Sequence, residues 1–300
     1  VTSDIVIESL FGGNAAEENQ NIQHDIEEIQ AFLVQKIRSP LATPLSYING
    51  KRNKFNQLIK KFDDWIYNFI ENHRNTPKDE NNLLAMLMHA KDEDTGEQMS
   101  NKQLRDELLT IYVAGHETST FALSWTLYLL VQHPAIYKKA KDEVRKIENI
   151  NNIGFKGVYE LKYLHQILSE SMRIYPPAFV FGRKVLQNIT VDNTELRKDD
   201  NVIVNVYGVH NDPNIWNNPQ EFNPDRFLPK NVKQRDRFAY IPFGGGPRMC
   251  IGNNFAIMEV VMLLAKLLYH FDLELINTEK IEADPLITLR PKQTIKMKII

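Results

Sequence analysis

Apolar residues recur at three- and four-residue steps along much of the chain, and that spacing predicts helices. The first covers Val1 to Leu10, with Ile5, Val6 and Leu10 on it, and Gly12 and Gly13 close it as helix C-termini do. A second carries the stripe Ile22, Ile26, Ile29, Leu33 and Ile37 and ends at Pro40 and Pro44. A third follows Gly50, shows Phe55, Leu58, Ile59, Phe62, Trp65, Ile66 and Phe69, and stops near Asn75 to Pro77. A short helix at Leu83 to His89 comes next. Ser100 and Gln103 form a capping-box pair, and the helix they open meets no breaker until Pro134. At the α-helical rise its roughly 32 residues, about 100–132, span about 48 Å, long enough to cross a whole domain. Ala135 to Ile147, Leu161 to Tyr175 and Asn254 to Tyr269 complete the helical set, the last apolar along one face.

After Pro177 the pattern turns to short β-branched runs: Phe179 to Val185, Ile189 to Val191 and Val202 to Val206. Asn211 to Ile241 reads as a long irregular stretch punctuated by prolines, with Trp216, Phe222, Phe227 and Phe238 to pin it down. Alternation at Leu286 to Leu289 and Ile295 to Ile299 predicts a terminal hairpin. The expected class is mainly α with small β-sheets, an α+β chain without repeats or low-complexity segments.

Composition changes this picture little. The chain has 300 residues, 43% hydrophobic and 25% charged, with a net charge of −2, which gives no reason to expect nucleic acid or an anionic membrane as partner. No run of about 18 apolar residues predicts a membrane span. The acidic loop Asp92 to Glu97 has Glu97 and Gln103 where an EF-hand needs Gly and Glu, so it reads as a solvated turn. Asn188-Ile189-Thr190 is formally a glycosylation sequon, a pattern that arises often by chance.

One cysteine changes it more. Cys250 is the chain's only thiol, so no intramolecular disulfide framework exists, which fits a reducing, cytoplasmic setting. It stands in FGGGPRMCIG, residues 243–252, followed at once by the apolar helix, whose positive end points at the sulfur. Gly244, Gly245 and Gly246 let the backbone approach a flat ligand closely. Most isolated cysteines are small buried hydrophobes, but this loop composition argues otherwise. Zinc would need further ligands at suitable spacing, and a P-loop would need Lys and Ser or Thr where Met249 and Cys250 stand. What remains is one soft thiolate on an axial face of a metal already held by something else, which means haem iron.

Phe243, Gly246, Arg248, Cys250 and Gly252 match FxxGxRxCxG, and the chain here resembles the cytochrome P-450 family, the haem-thiolate monooxygenases. Cys-thiolate ligation is that family's known haem chemistry. The resemblance implies haem b (iron protoporphyrin IX), with Cys250 as iron ligand and Arg248 as a propionate partner. Three other segments share it. Ala114-Gly115-His116-Glu117-Thr118, in the middle of the long helix, is similar to the family's oxygen-activating motif. Glycine weakens a helix interior by about 1 kcal/mol, and the local weakness lets a planar ligand lie against Ala114 and Gly115 where the ladder opens. By the resemblance, Thr118 orders water and Glu117 relays protons. Glu170 and Arg173 fit ExxR, and Arg226 in PDRF fits the arginine that joins them in a buried, structural ion triad. Asp225 stands where the family more often has Glu.

Position in the family pattern turns Ala114, Ala178, Val180, Ile287 and Thr288 toward substrate, and their aliphatic character suits a fatty acid or terpenoid. The implied reaction inserts one oxygen atom of O2 into a hydrophobic molecule, with electrons from a ferredoxin, flavodoxin or flavoprotein reductase. Lys230, Lys233, Arg235 and Arg237 form a basic run that could dock an acidic electron donor. Set against complete members, residues 1–300 read as an incomplete catalytic domain lacking about the first third, and an anchor or signal would lie in that part. The rival readings are a catalytically silent haem-binding or scaffold fragment, and a family member that rearranges or reduces its substrate without activating O2.

Overall fold

The computed structural model describes residues 1–12, 19–38, 50–75 and 82–300. The expected stops at Gly13, Pro40, Pro44, Thr76 and Pro77 lie outside them. The chain divides into two compact units, Val1–Glu117 and Thr118–Ile300.

In the first unit, α1 (Thr2–Phe11), α2 (Asn19–Arg38), α3 (Lys51–Asn75) and α4 (Leu83–His89) precede the first half of α5 (Asn101–Val131). α1 ends at Gly12, whose φ of 84° is the left-handed region that glycine takes without strain. Its buried residues Ile7 and Leu10 pack with Phe62, Ile66 and Ile70 of α3 and with Leu104 and Leu108 of α5. α2 departs from its expected stripe: Ile26 is buried but Leu33 is open, and it is Phe32 that stacks on Phe55 of α3 at 4.6 Å. The side chains of Ile22 and Ile37 are outside the described set. α5 begins at the expected capping box, with the Ser100 N–H donating to Gln103 Oε1 at 2.9 Å and the Gln103 N–H to Ser100 Oγ at 3.3 Å.

In the second unit, α6 (Pro134–Val144), α7 (Phe155–Glu160), α8 (Lys162–Ile174), α9 (Val206–Asn211), α10 (Pro229–Gln234) and α11 (Asn253–His270) accompany the second half of α5. Leu130, Val144, Leu164, Ile167, Val260, Val261 and Leu264 form its core, each at most 1% exposed. Glu143 of α6 caps α8, its carboxylate accepting the N–H groups of Tyr163 and Leu164 at 2.8 and 3.0 Å.

The strands form two-stranded antiparallel pairs: β1 (Val180–Lys184) with β4 (Asn201–Asn205), β2 (Ile189–Val191) with β3 (Thr194–Leu196), β5 (Leu273–Leu275) with β8 (Met297–Ile299), and β6 (Ala283–Pro285) with β7 (Leu289–Pro291). The expected terminal hairpin is thus replaced by two nested pairs: residues 286–288 are a turn, and the last strand returns to 273–275. Val206 leaves the strand expected for it because the Asn205 side chain accepts the Gly208 N–H at 2.9 Å and caps α9. In the irregular stretch Trp216 and Phe222 are buried, whereas Phe238 is 56% exposed. Trp125 of α5 stacks on Tyr175 at 3.9 Å and donates to the Leu289 carbonyl at 2.9 Å, tying the helix to β7. Among the described residues no helix is long and apolar enough to cross a membrane.

Candidate functional site

The cysteine loop is a short closed structure. Its chain turns where the Gly244 N–H reaches the Ile241 carbonyl and the Met249 N–H reaches Gly246, both at 3.0 Å, and the Cys250 N–H closes it on the Phe243 carbonyl at 3.0 Å. Gly244 and Gly246 sit at φ 74° and 73°, so two of the three glycines supply conformations that other residues adopt only with strain. Phe243 anchors the loop by packing on the core. Gly252 is the N-cap of α11, and the Cys250 sulfur lies 4.0 Å from where a Gly252 Cβ would stand. The thiol is exposed, as is Arg248. Beside Cys250 in the sequence Ile251 is 96% exposed, with Met249 and Phe255 also open, and a Cβ on Gly246 would meet nothing within 4 Å.

Behind the loop stands a buried ionic frame. Glu170 and Arg173, one turn apart on α8, are wholly buried. Arg173 donates to the Glu170 carboxylate from Nε and Nη2, to the His210 carbonyl from Nη1 at 2.9 Å and to the Glu221 carbonyl at 3.2 Å. The Asn223 N–H and Arg226 Nε share Glu170 Oε1 at 3.0 and 3.2 Å. Arg235, part of the expected basic run, is not a solvated charge: it lies over the Trp216 and Phe227 rings at 4.4 and 4.6 Å and donates to the Arg226 carbonyl. Lys230, Lys233 and Arg237 are exposed.

The central segment of α5 stays α-helical, so the expected opening of its ladder is not seen. In the first unit Ala114 is exposed, and a Cβ on Gly115 would touch Val6 of α1 at 3.6 Å, so that glycine's open side faces a neighbouring helix. Gln30 Nε2 donates to Glu117 Oε2 at 3.4 Å. His116 stacks on Tyr112, and burial lowers its pKa. In the second unit Thr118 is half-buried, while Ala178, Val180 and Ile287 are exposed. Thr288, beside Ile287, is buried instead, and its Oγ1 has no hydrogen-bond partner.

Two buried groups escaped the sequence reading. Glu259 on α11 is 5% exposed, and neither carboxylate oxygen finds a hydrogen bond. Burial pushes its pKa up to about 7, with the nearby Ser119 hydroxyl acting in the opposite direction. The signal was present, since Glu259 is the only acid in α11 and sits in an apolar run. His210 is wholly enclosed, its Nε2 accepts the Ile241 N–H at 2.9 Å, and burial holds its pKa down to about 4. No local pattern marks it.

Comparison with known proteins supplies the family. The cytochrome P450 family model matches residues 1–299, and the chain belongs to that family. It is 36% identical over 209 residues to the chloroplastic carotene epsilon-monooxygenase of Arabidopsis thaliana, covering 68% of this chain and 38% of that protein. It is 32% identical to tabersonine 16-hydroxylase 1 of Catharanthus roseus, covering 79% and 49%, and 28% identical to human cytochrome P450 4V2, covering 99% and 61%. The chain thus spans between about two fifths and three fifths of these relatives' lengths. The crystallised cytochrome P450DA heme domain superposes with a TM-score of 0.89 at 24% identity, covering 100% of this chain and 66% of that one, a likeness of fold.

The residues present fit a haem. Among the described residues no group of three or more His, Cys, Asp or Glu could hold a metal ion, and Cys250 offers a single exposed thiol. The exposed apolar side chains of Met249, Ile251 and Phe255 close to Cys250 in the sequence and the clear space at Gly246 suit a flat apolar macrocycle, and exposed Arg248 suits its carboxylates.

Proposed function

We propose that this chain carries the haem-binding part of a monooxygenase that inserts one oxygen atom of O2 into a hydrophobic organic molecule, using two electrons from a separate redox protein. The observation that carries the reading is the exposed Cys250 thiol, presented by a loop whose backbone is closed by the Cys250-to-Phe243 hydrogen bond at the start of α11. Family membership supports it, as do relatives named as a monooxygenase and a hydroxylase. Bound haem b supplies the oxygen activation itself.

The chain's own residues would do the rest. The Cys250 sulfur would hold the iron from one side, and Arg248 would pair with a propionate carboxylate. Thr118 Oγ1 would hold a water and the Glu117 carboxylate would pass it protons, a general-acid role. By position in the family pattern Ala114 in the first unit, and Ala178, Val180 and Ile287 in the second, would each offer an aliphatic side chain to a fatty acid or terpenoid, and one relative is named as a carotene epsilon-monooxygenase. Exposed Lys230, Lys233 and Arg237 would attract an acidic electron donor such as a ferredoxin or flavodoxin. Another relative, from Alternaria alternata, is named as a bifunctional cytochrome P450/NADPH–P450 reductase.

The test is one spectrum. Reduced protein under carbon monoxide should show the strongly red-shifted Soret band of thiolate-ligated haem, and Cys250→Ala should lack it. An unaltered spectrum in Cys250→Ala overturns the reading.

A further inference from the structure

The cysteine loop is held from behind by a side chain that no motif marks. His210 lies in the last turn of α9, has no exposed surface, and touches two systems at once. Its carbonyl accepts Arg173 Nη1 at 2.9 Å, which places it inside the buried Glu170–Arg173 frame. Its Nε2 accepts the Ile241 N–H at 2.9 Å, and the Ile241 carbonyl accepts the Gly244 N–H at 3.0 Å, the first turn of the cysteine loop. One residue thus joins the ionic frame to the backbone that leads to the sulfur. The ring is clamped in that orientation by Tyr240, stacked 5.2 Å away at 24°.

Nε2 accepts only when it carries no proton, so the ring proton resides on Nδ1. Its surroundings keep the ring neutral. Arg173 on α8 and Arg235 near the loop both disfavour a second positive charge, and burial disfavours it more. The Ile241 amide, part-buried, has no other acceptor in this arrangement, and shielding an unsatisfied amide from water is costly.

We propose that His210 is a positioning residue for the cysteine ligand, setting the register of the 241–250 loop against the Glu170–Arg173 pair through its Nε2 and its carbonyl. The inference rests on the reading of Cys250 as the iron ligand. It goes beyond that reading by assigning the loop's alignment to one imidazole acceptor.

The test compares three variants. His210→Phe keeps the ring and its stacking but removes the acceptor, His210→Gln keeps an acceptor at the reach of Nε2, and His210→Asn keeps an amide too short to reach. Two readouts are followed: hydrogen exchange of the Ile241 and Gly244 amides in protein without haem, and the share of the reduced, carbon monoxide-bound protein that holds the thiolate band. His210→Phe and His210→Asn should speed exchange at those two amides about tenfold, the equivalent of one lost hydrogen bond, and shift the spectrum toward the non-thiolate band. His210→Gln should restore both toward wild type. Should His210→Phe fail to fold, the contrast between His210→Gln and His210→Asn decides in its place. Unchanged exchange and an unchanged band in the variants without an acceptor overturn the proposal, as does a His210→Gln protein as damaged as the other two. If Cys250→Ala keeps the wild-type band, it is the ligand reading that fails; if only the His210 variants leave the band intact, the failure is this inference alone.

Discussion

Arg173 grips both oxygens of the Glu170 carboxylate, Nε to Oε2 at 2.7 Å and Nη2 to Oε1 at 2.8 Å, and neither side chain has any surface in contact with water. A buried pair of this kind is valuable less for its net attraction than for what its breakage leaves behind. Removing Arg173 strands a carboxylate that keeps only Asn223 and Arg226 as donors. Arg173→Ala should therefore lower stability by about 3–5 kcal/mol in urea unfolding. Arg226 is 14% exposed and meets Glu170 at 3.2 Å through one nitrogen, so Arg226→Ala should cost only about 1–2 kcal/mol. Equal losses in the two variants would contradict the buried frame described above.

Glu259 makes the opposite kind of claim, because here a carboxyl is buried without a counter-charge. Its folded pKa of about 7 lies above the ordinary 4.5, so the folded chain binds the extra proton between those values. Stability from this group is complete below pH 4.5 and is lost as pH rises through 7. Glu259→Gln should leave unfolding at pH 4.5 nearly unchanged and should stabilise the protein by up to about 3 kcal/mol at pH 8. Urea midpoints at the two pH values check it.

His210 pulls the other way with pH. Its folded pKa of about 4 lies below the ordinary 6.5, so the unfolded chain binds the extra proton between them. Stability is unaffected by this group above pH 6.5 and falls toward pH 4, at most about 1.4 kcal/mol per pH unit. His210→Gln should flatten that acid limb of the stability profile, measured by unfolding from pH 7 to pH 4.

Within the cysteine loop the glycines are not equivalent. Gly246 has φ 73° and open space where a Cβ would stand, so Gly246→Ala should cost about 1–2 kcal/mol through backbone strain alone. Gly245 is extended at φ −162°, and its Cβ would rest 3.6 Å from Phe238, an ordinary contact. Gly245→Ala should be tolerated within about 0.5 kcal/mol. Thermal unfolding of the two variants separates these outcomes.

Much of this was legible before any coordinates. α5 could be bounded at both ends because Ser100, Gln103 and Pro134 are local signals, and such signals act within a turn of where they stand. The cysteine loop was legible for the same reason. The strand pairing at the C-terminus was not, since Leu273 to Leu275 finds its partner more than twenty residues on, and the Leu289 N–H goes to the Pro177 carbonyl at 2.9 Å. Val206 misled because β-branched character predicts strand, while a neighbouring asparagine cap imposed a helix. His210 was invisible for a related reason: the amide it accepts is 31 residues away.

The side chains beside Cys250 in the sequence lie open while the Glu170–Arg173 frame is shut. The Glu170–Arg173 frame draws all of the partners named above, His210, Glu221, Asn223 and Arg226, from within the second unit, while Met249, Ile251 and Phe255 leave apolar side chains open to solvent. Exposed apolar side chains of this kind favour contact with another apolar surface over contact with water.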